Sequence, residues 1–375
     1  MTTQEQADDP FLMTPPPAPF VGPTIPGLLL RALVWGALGV LVFWVPSLTD
    51  NIAYNATIGA YFAVVGLSMN ILVGYTGQLS LGQQGFFGLG ALVAANVCNS
   101  GINPAEPLSF AFALASTVVI GAAFALLLGL VALRVTGLYL ALLTLVFGVA
   151  VTSSIFGIGA FSGNDAGVKA NRPDFLISGM HYYLFCIAIL AVVFYVDRRL
   201  IASKAGRAML ATKENERAAE AFGINVVGTK LLAFSLSGAI AGLAGGLAAF
   251  LPQLFSQKDY TAAIGFNLAL TFVVIAVVGG LGNRVGVVVA SAFFGLLPYL
   301  LDTFFKKVHL EDFYTNRKNF LPGLLGAVLL LDTVVRRPGG LGQLISPLSR
   351  WMAGQRFSLH GDDHHGAEVA ADVRA

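Results

Sequence analysis

Long uncharged runs alternate with short charged connections along nearly the whole chain. Residues 51–105, 135–164, 231–257, 260–283 and 285–301 hold no Asp, Glu, Lys or Arg. Crossing the ~30 Å hydrocarbon core of a bilayer takes roughly 20 largely apolar residues in helical form. The pattern therefore predicts an all-α polytopic membrane protein with about ten transmembrane or re-entrant helices. They fall at roughly 28–45, 54–73, 83–99, 108–132, 137–157, 181–201, 229–250, 264–281, 285–304 and 319–335. The segments 83–99 and 319–335 are short, and fit a re-entrant or tilted helix as well as a full crossing. Pro104, Pro107, Pro252 and Pro322 stand at or near segment ends, where a missing N–H costs least.

Composition agrees with the pattern. Of 375 residues 56% are hydrophobic and only 11% charged, and the mean hydropathy is +0.76, more than a soluble core requires. The transmembrane domain is expected over 27–345. A Pro-rich arm over 1–26, acidic rather than basic and so unlike a signal peptide, and a polar tail over 346–375 are expected to be disordered and cytoplasmic. The net charge of +2 is divided between the two faces of a membrane and identifies no partner. Basic clusters interleaved with aromatics are missing, which excludes nucleic acid as a partner. Cys98 and Cys186 lie inside apolar runs and read as small buried hydrophobes; no His/Cys spacing fits a metal. No GxxxxGK[ST] loop is present to bind ATP, and no Ser/His/Asp constellation to support a membrane enzyme. No acid falls at the middle of a predicted span, since Asp302 and Asp332 lie near ends; a proton-coupled carrier usually keeps one there.

Lys and Arg set the orientation. With both termini in the cytoplasm, about two-thirds of the 22 basic residues fall inside, among them Arg134, Arg198, Arg199, Lys204, Arg207, Lys213, Arg217, Lys230, Arg284, Arg336 and Arg337. The mixed-charge segment 306–318 falls outside and fits an outward docking rim or a solvated loop equally well.

One charged island interrupts the cytoplasmic side. Ser203–Gly223 predicts a helix over 204–222 that stops at Gly223, a residue favoured just past a helix end. Ala205, Ala208, Met209, Thr212, Asn215, Ala219 and Phe222 recur at helical spacing and form a small-residue face opposite the charges. That face fits close docking of a partner, and the basic residues fit contact with anionic lipid; the pattern favours neither.

A second unusual segment is Asn70–Gly90. Gly74, Gly77, Gly82, Gly85, Gly88 and Gly90 lie among Tyr75, Thr76, Gln78, Ser80, Gln83 and Gln84, with no charge. Such a run permits a broken helix lining a translocation path, or tight glycine packing with ordinary amide hydrogen bonds. Amides at a helix start there suit a substrate carboxylate. The candidate path residues are Asn70, Gly74, Gly77, Gln78, Ser80, Gln83 and Gln84, with Asn267 and Thr271, four apart on a later span, as further candidates.

These two segments resemble the LivM-type permeases, inner-membrane subunits of branched-chain amino-acid ABC importers. GRAMLATKENERAAEAFGINVVGTKLLAF is similar to the family's cytoplasmic coupling loop, and NILVGYTGQLSLGQQGFFGLG to the signature after its second span. In related importers the loop carries an EAA-x3-G pattern that sits in a groove of the ATPase. Here the pattern falls on Arg217, Ala218 and Ala219, then Gly223; Arg217 replaces the consensus Glu, with Glu216 adjacent and Lys213 one turn before. Gln83-Gln84 departs from the His-Ala or His-Gly of many relatives. DTVVRRPGGLG resembles the family's exit motif, and Asp165 in FSGNDAGV fits a turn-forming residue between glycines, with contact to an external binding protein as the alternative. The resemblance covers roughly residues 50–345.

It implies a permease that forms half of a translocation pathway with a homologous second permease in the bacterial inner membrane. Two cytoplasmic ATPase subunits would supply ATP and Mg, this chain holding no cofactor of its own, and an extracytoplasmic solute-binding protein would deliver substrate. Branched-chain amino acids are the family's default, with urea or short amides as the alternative. A secondary transporter and a membrane enzyme are rivals from other classes.

Overall fold

The computed structural model describes residues 44, 47, 49–99, 107–135, 137–155, 158–159, 168–252, 254–255, 266–308, 320–336 and 340–341. The helices are α1 Asp50–Met69, α2 Gln83–Asn99, α3 Pro107–Ala132, α4 Leu138–Ala150, α5 Gly179–Ala202, α6 Lys204–Glu214, α7 Glu216–Ala221, α8 Val226–Phe250, α9 Phe266–Gly279, α10 Arg284–Lys307 and α11 Phe320–Arg336. A π-helical stretch Asn70–Tyr75 prolongs α1, and another, Val151–Ile155, prolongs α4. A two-residue antiparallel bridge joins Val168–Lys169 to Leu254–Phe255. The expected span 28–45, apart from Trp44, lies outside the described residues, as do Asp165, the loop 309–319 and the tail.

Among the described residues four helices are long and apolar enough to cross a membrane: Asp50–Tyr75, Pro107–Ala132, Val226–Phe250 and Arg284–Lys307. The protein is a helical membrane protein. Its apolar runs fill whole helices and not one face of each, because lipid and neighbouring helices are both apolar surroundings.

α1 is the central post. It packs against α10, α5 and α8, and most of it is buried. α8 lies beside it and carries α3 and α2 on its other side, while α9 joins α10 to α11. α8 reaches its neighbours through small residues, which bring backbones into direct contact. A Cβ added at Gly245 would lie 1.8 Å from the Phe87 carbonyl oxygen, and one at Gly90 2.0 Å from that of Gly242. Aromatic rings close the gaps: Phe87 and Phe62 both pack on Phe272, and Phe110 on Phe250. Arg172, at the end opposite α6, donates from Nε to the Phe250 carbonyl and also bonds the Leu251 carbonyl, with Tyr182 beneath its guanidinium. It satisfies carbonyls that the end of α8 leaves without helical partners.

Candidate functional site

The glycine-rich segment is a true break. Helical structure ends at Thr76, residues 77–82 follow no regular structure, and α2 begins at Gln83. Gly77 takes φ +69°, in the left-handed region that a side chain disfavours. The Gly77 amide donates to Val73 O and the Gln78 amide to Leu72 O, so the helix end folds its own carbonyls in. The Leu81 amide donates to Thr144 Oγ on α4.

The proposed path residues divide into four groups. Gln83 bridges three helices: its Nε2 donates to Ser237 Oγ on α8, Ser237 Oγ to the Ser68 carbonyl on α1, and Ser68 Oγ to Gln83 Oε1. For Gln83, interhelical glue describes the contacts. Gln78 and Gln84 are buried, and among the described residues their Oε1 atoms have no hydrogen-bond partner. Ser80 is buried, with its Oγ near the Gly82 amide. Thr271 lies half-buried on α9; Asn267 stands in the first turn of that helix, its side chain outside the described residues.

Asn70 and Gly74 belong to a fourth arrangement, at the end of α1 nearest α6. Asn70 Nδ2 donates to Tyr75 Oη at 2.9 Å, and Asn70 Oδ1 accepts the Gly282 amide at 2.7 Å. Tyr75 Oη donates to Asp197 Oδ2 at 2.8 Å, and Arg284 Nε stands 2.6 Å from the same oxygen. Asp197 is fully buried although it sits in the last turns of α5. Arg284 opens α10, where the helix dipole disfavours a cation; the Asp197 carboxylate offsets that. Spacing along the chain hides this cluster, because Asp197 precedes the basic pair Arg198–Arg199 and reads as an interfacial residue. The available signal is the isolation of Arg284, one charge between two long uncharged runs.

The charged island differs from its predicted form in two respects. One helix is expected over 204–222, and the structure has two, α6 and α7, separated by Asn215 in extended conformation (φ −159°, ψ 110°). Asn215 accepts the Ala218 amide and so caps α7, a role its short amide favours over a mid-helix position. Gly223 ends α7 as expected, at φ +79°, with the Ile224 amide bonded to Ala219 O and its own to Glu220 O.

The second difference concerns which face is free. Most of the small-residue face is turned toward the chain's own spans: Met209, Thr212 and Ala219 are buried, Ala205 and Ala208 partly so. α6 packs on α5, α8 and the π-helical turn, and α7 on α8. Ala219, expected on the docking surface, is therefore occupied within the chain. Glu216 is also engaged, in a 2.7 Å ion pair with the nearly buried Lys230 of α8. Lys213 reaches back to donate from Nζ to the Gly74 carbonyl at 2.8 Å. Exposed to solvent are Arg217, Ala218, Glu220, Ala221, Gly223 and Phe222, the last 87% exposed, and Lys213 and Glu216 are exposed as well despite these bonds.

The structure is a helical bundle in which helix stops at Thr76 and resumes at Gln83, with a short charged pair of helices, α6 and α7, packed on α5 and α8. The branched-chain amino acid transport system permease component family matches residues 51–338, and the chain belongs to it. It is a membrane transport component and not an enzyme. The high-affinity branched-chain amino acid permease LivM of Salmonella typhimurium is 29% identical over 90% of this chain and 81% of its own length. LivM of Escherichia coli is 28% identical over 88% and 79%. A probable LivH of Methanocaldococcus jannaschii is 25% identical over 82% of this chain and 88% of its own. No solved structure matches. Permeases of this kind work with ATPase and solute-binding partners.

Proposed function

We propose that the chain forms half of the translocation pathway of an ATP-driven importer of branched-chain amino acids, paired with a homologous second permease. Family membership over residues 51–338 carries this reading, and the names of the relatives supply the substrate. In it about ten helices cross the bacterial inner membrane, both termini are cytoplasmic, and α6–α7 is the coupling segment. Two ATPase subunits holding ATP and Mg grip the exposed tip, and an external binding protein delivers the solute. A path that receives an already selected solute gains nothing from holding it tightly, which suits a broken segment lined by amides and hydroxyls.

Uptake of labelled leucine and labelled urea in a deletion strain tests the substrate. Leucine uptake is expected to fall to background and urea uptake to stay unchanged; the converse overturns the assignment. Phe222→Asp tests the tip. A Phe side chain seated in a pocket typically contributes about 2 kcal/mol or more at an interface hot spot, so ATPase co-purification is expected to be lost while the permease stays folded. Retention of the ATPase places the docking surface elsewhere.

A further inference from the structure

Lys213 belongs to the coupling segment by sequence, yet it points away from the exposed tip. Its Nζ donates to the Gly74 carbonyl at 2.8 Å, and its Cγ would lie 3.3 Å from a Cβ at Gly77. α6 thus touches the broken span within three residues of the break. Gly74 sits in a π-helical turn, where one extra residue per turn leaves the hydrogen-bond ladder disturbed and easily rearranged. The next residue, Tyr75, is bonded to Asp197 on α5 and contacts Arg284 on α10, and Asn70 holds the Gly282 amide between α9 and α10. One ammonium therefore connects the ATPase-facing segment to a polar knot joining the inner ends of three spans.

We infer that Lys213 is the positioning residue that transmits motion of α6–α7 to the broken span, with Tyr75, Asp197 and Arg284 as the anchor it works against. The inference rests on the importer reading given above. A lysine that only caps a helix end would affect stability alone. A transmitting lysine sets how much solute moves for each ATP consumed. When α6 moves with the ATPases, the Lys213–Gly74 bond pulls on main chain immediately before Gly77, whose left-handed conformation makes it the natural hinge.

The test uses the reconstituted permease–ATPase complex with its binding protein in proteoliposomes, and reads leucine delivered per ATP hydrolysed. Cys98 and Cys186 are buried, so Lys213→Cys introduces the thiol that 2-bromoethylamine reaches. Alkylation rebuilds a lysine-like ammonium on the same folded protein. The Cys variant is expected to assemble, keep hydrolysing ATP, and lose about tenfold or more in leucine per ATP, the scale set by one charge-assisted hydrogen bond. Aminoethylation is expected to restore most of that loss.

A ratio equal to wild type before alkylation overturns the inference, as does a loss that alkylation leaves in place. Failure of the Cys variant to assemble also overturns it, making Lys213 a structural cap. Absence of ATP-driven leucine uptake by the wild-type complex is a separate result: it removes the importer reading itself.

Discussion

Gly245→Val is expected to leave almost no folded permease in the membrane. The Cβ position at Gly245 is 1.8 Å from Phe87 O, 2.6 Å from Phe87 C and 3.0 Å from the Ala91 amide nitrogen. All three are backbone atoms of α2, so no side-chain rotation relieves the clash. α2 and α8 must separate, and the neighbouring approach of Gly90 to Gly242 is lost with them. Overpacking of a well-packed interior costs about 1–3 kcal/mol where side chains can shift, and more where backbone must. Helix association in lipid depends on such close contact, because no hydrophobic gain remains to compensate. Detergent-solubilised protein measured by size exclusion should show loss of the monodisperse peak. Gly323→Ala is the control: nothing lies within 4 Å of a Cβ there, and accumulation should match wild type. Normal accumulation of Gly245→Val would mean that α2 and α8 are packed differently.

Arg284→Ala is expected to destabilise by about 3–5 kcal/mol, the range for removing one partner of a buried pair. The loss comes from what remains. Asp197 is fully buried, its Oδ1 already lacks a partner, and removal of Arg284 leaves Tyr75 Oη as its remaining bond among the described residues. Asp197→Asn is expected to cost clearly less. The amide oxygen still accepts from Tyr75, and Arg284, with 25% of its side chain exposed, can extend toward water. The double variant Asp197→Asn with Arg284→Gln should recover much of the Arg284→Ala loss, since no uncompensated charge stays in the protein. Thermal inactivation of the purified complex measures all three. Equal losses for Arg284→Ala and Asp197→Asn would show that the carboxylate is hydrated and the pair contributes little.

The membrane-spanning architecture was legible because hydrocarbon imposes a composition and a length that few other environments demand. The helix Pro107–Ala132 follows directly from charge, since it fills the uncharged run between Glu106 and Arg134. The glycine density of 70–90 left a broken helix and tight glycine packing both open, and the structure shows helix ending at Thr76 and resuming at Gln83. Gly223 announced its helix end, since glycine is favoured just past one. In contrast, the island 203–223 has two faces by pattern, and its sequence gives no means of choosing which one a partner meets. Small residues serve close packing against any surface, and here most of that surface is the chain's own α5 and α8.

The sequence by itself determined that the chain is a helical membrane protein, where several of its helices run, and that glycines crowd residues 70–90 while charges gather in 203–223. Those outcomes depend on local chemistry: apolar length, glycine freedom, capping side chains and charge. Only the tertiary structure decided that Asp197 pairs with Arg284, that Glu216 is engaged by Lys230, and that Lys213 grasps Gly74 while Phe222 faces outward. Each of these joins residues from different helices, and the small-residue contacts that set the distance between helices lie elsewhere in the chain. Spacing along one segment carries no record of them.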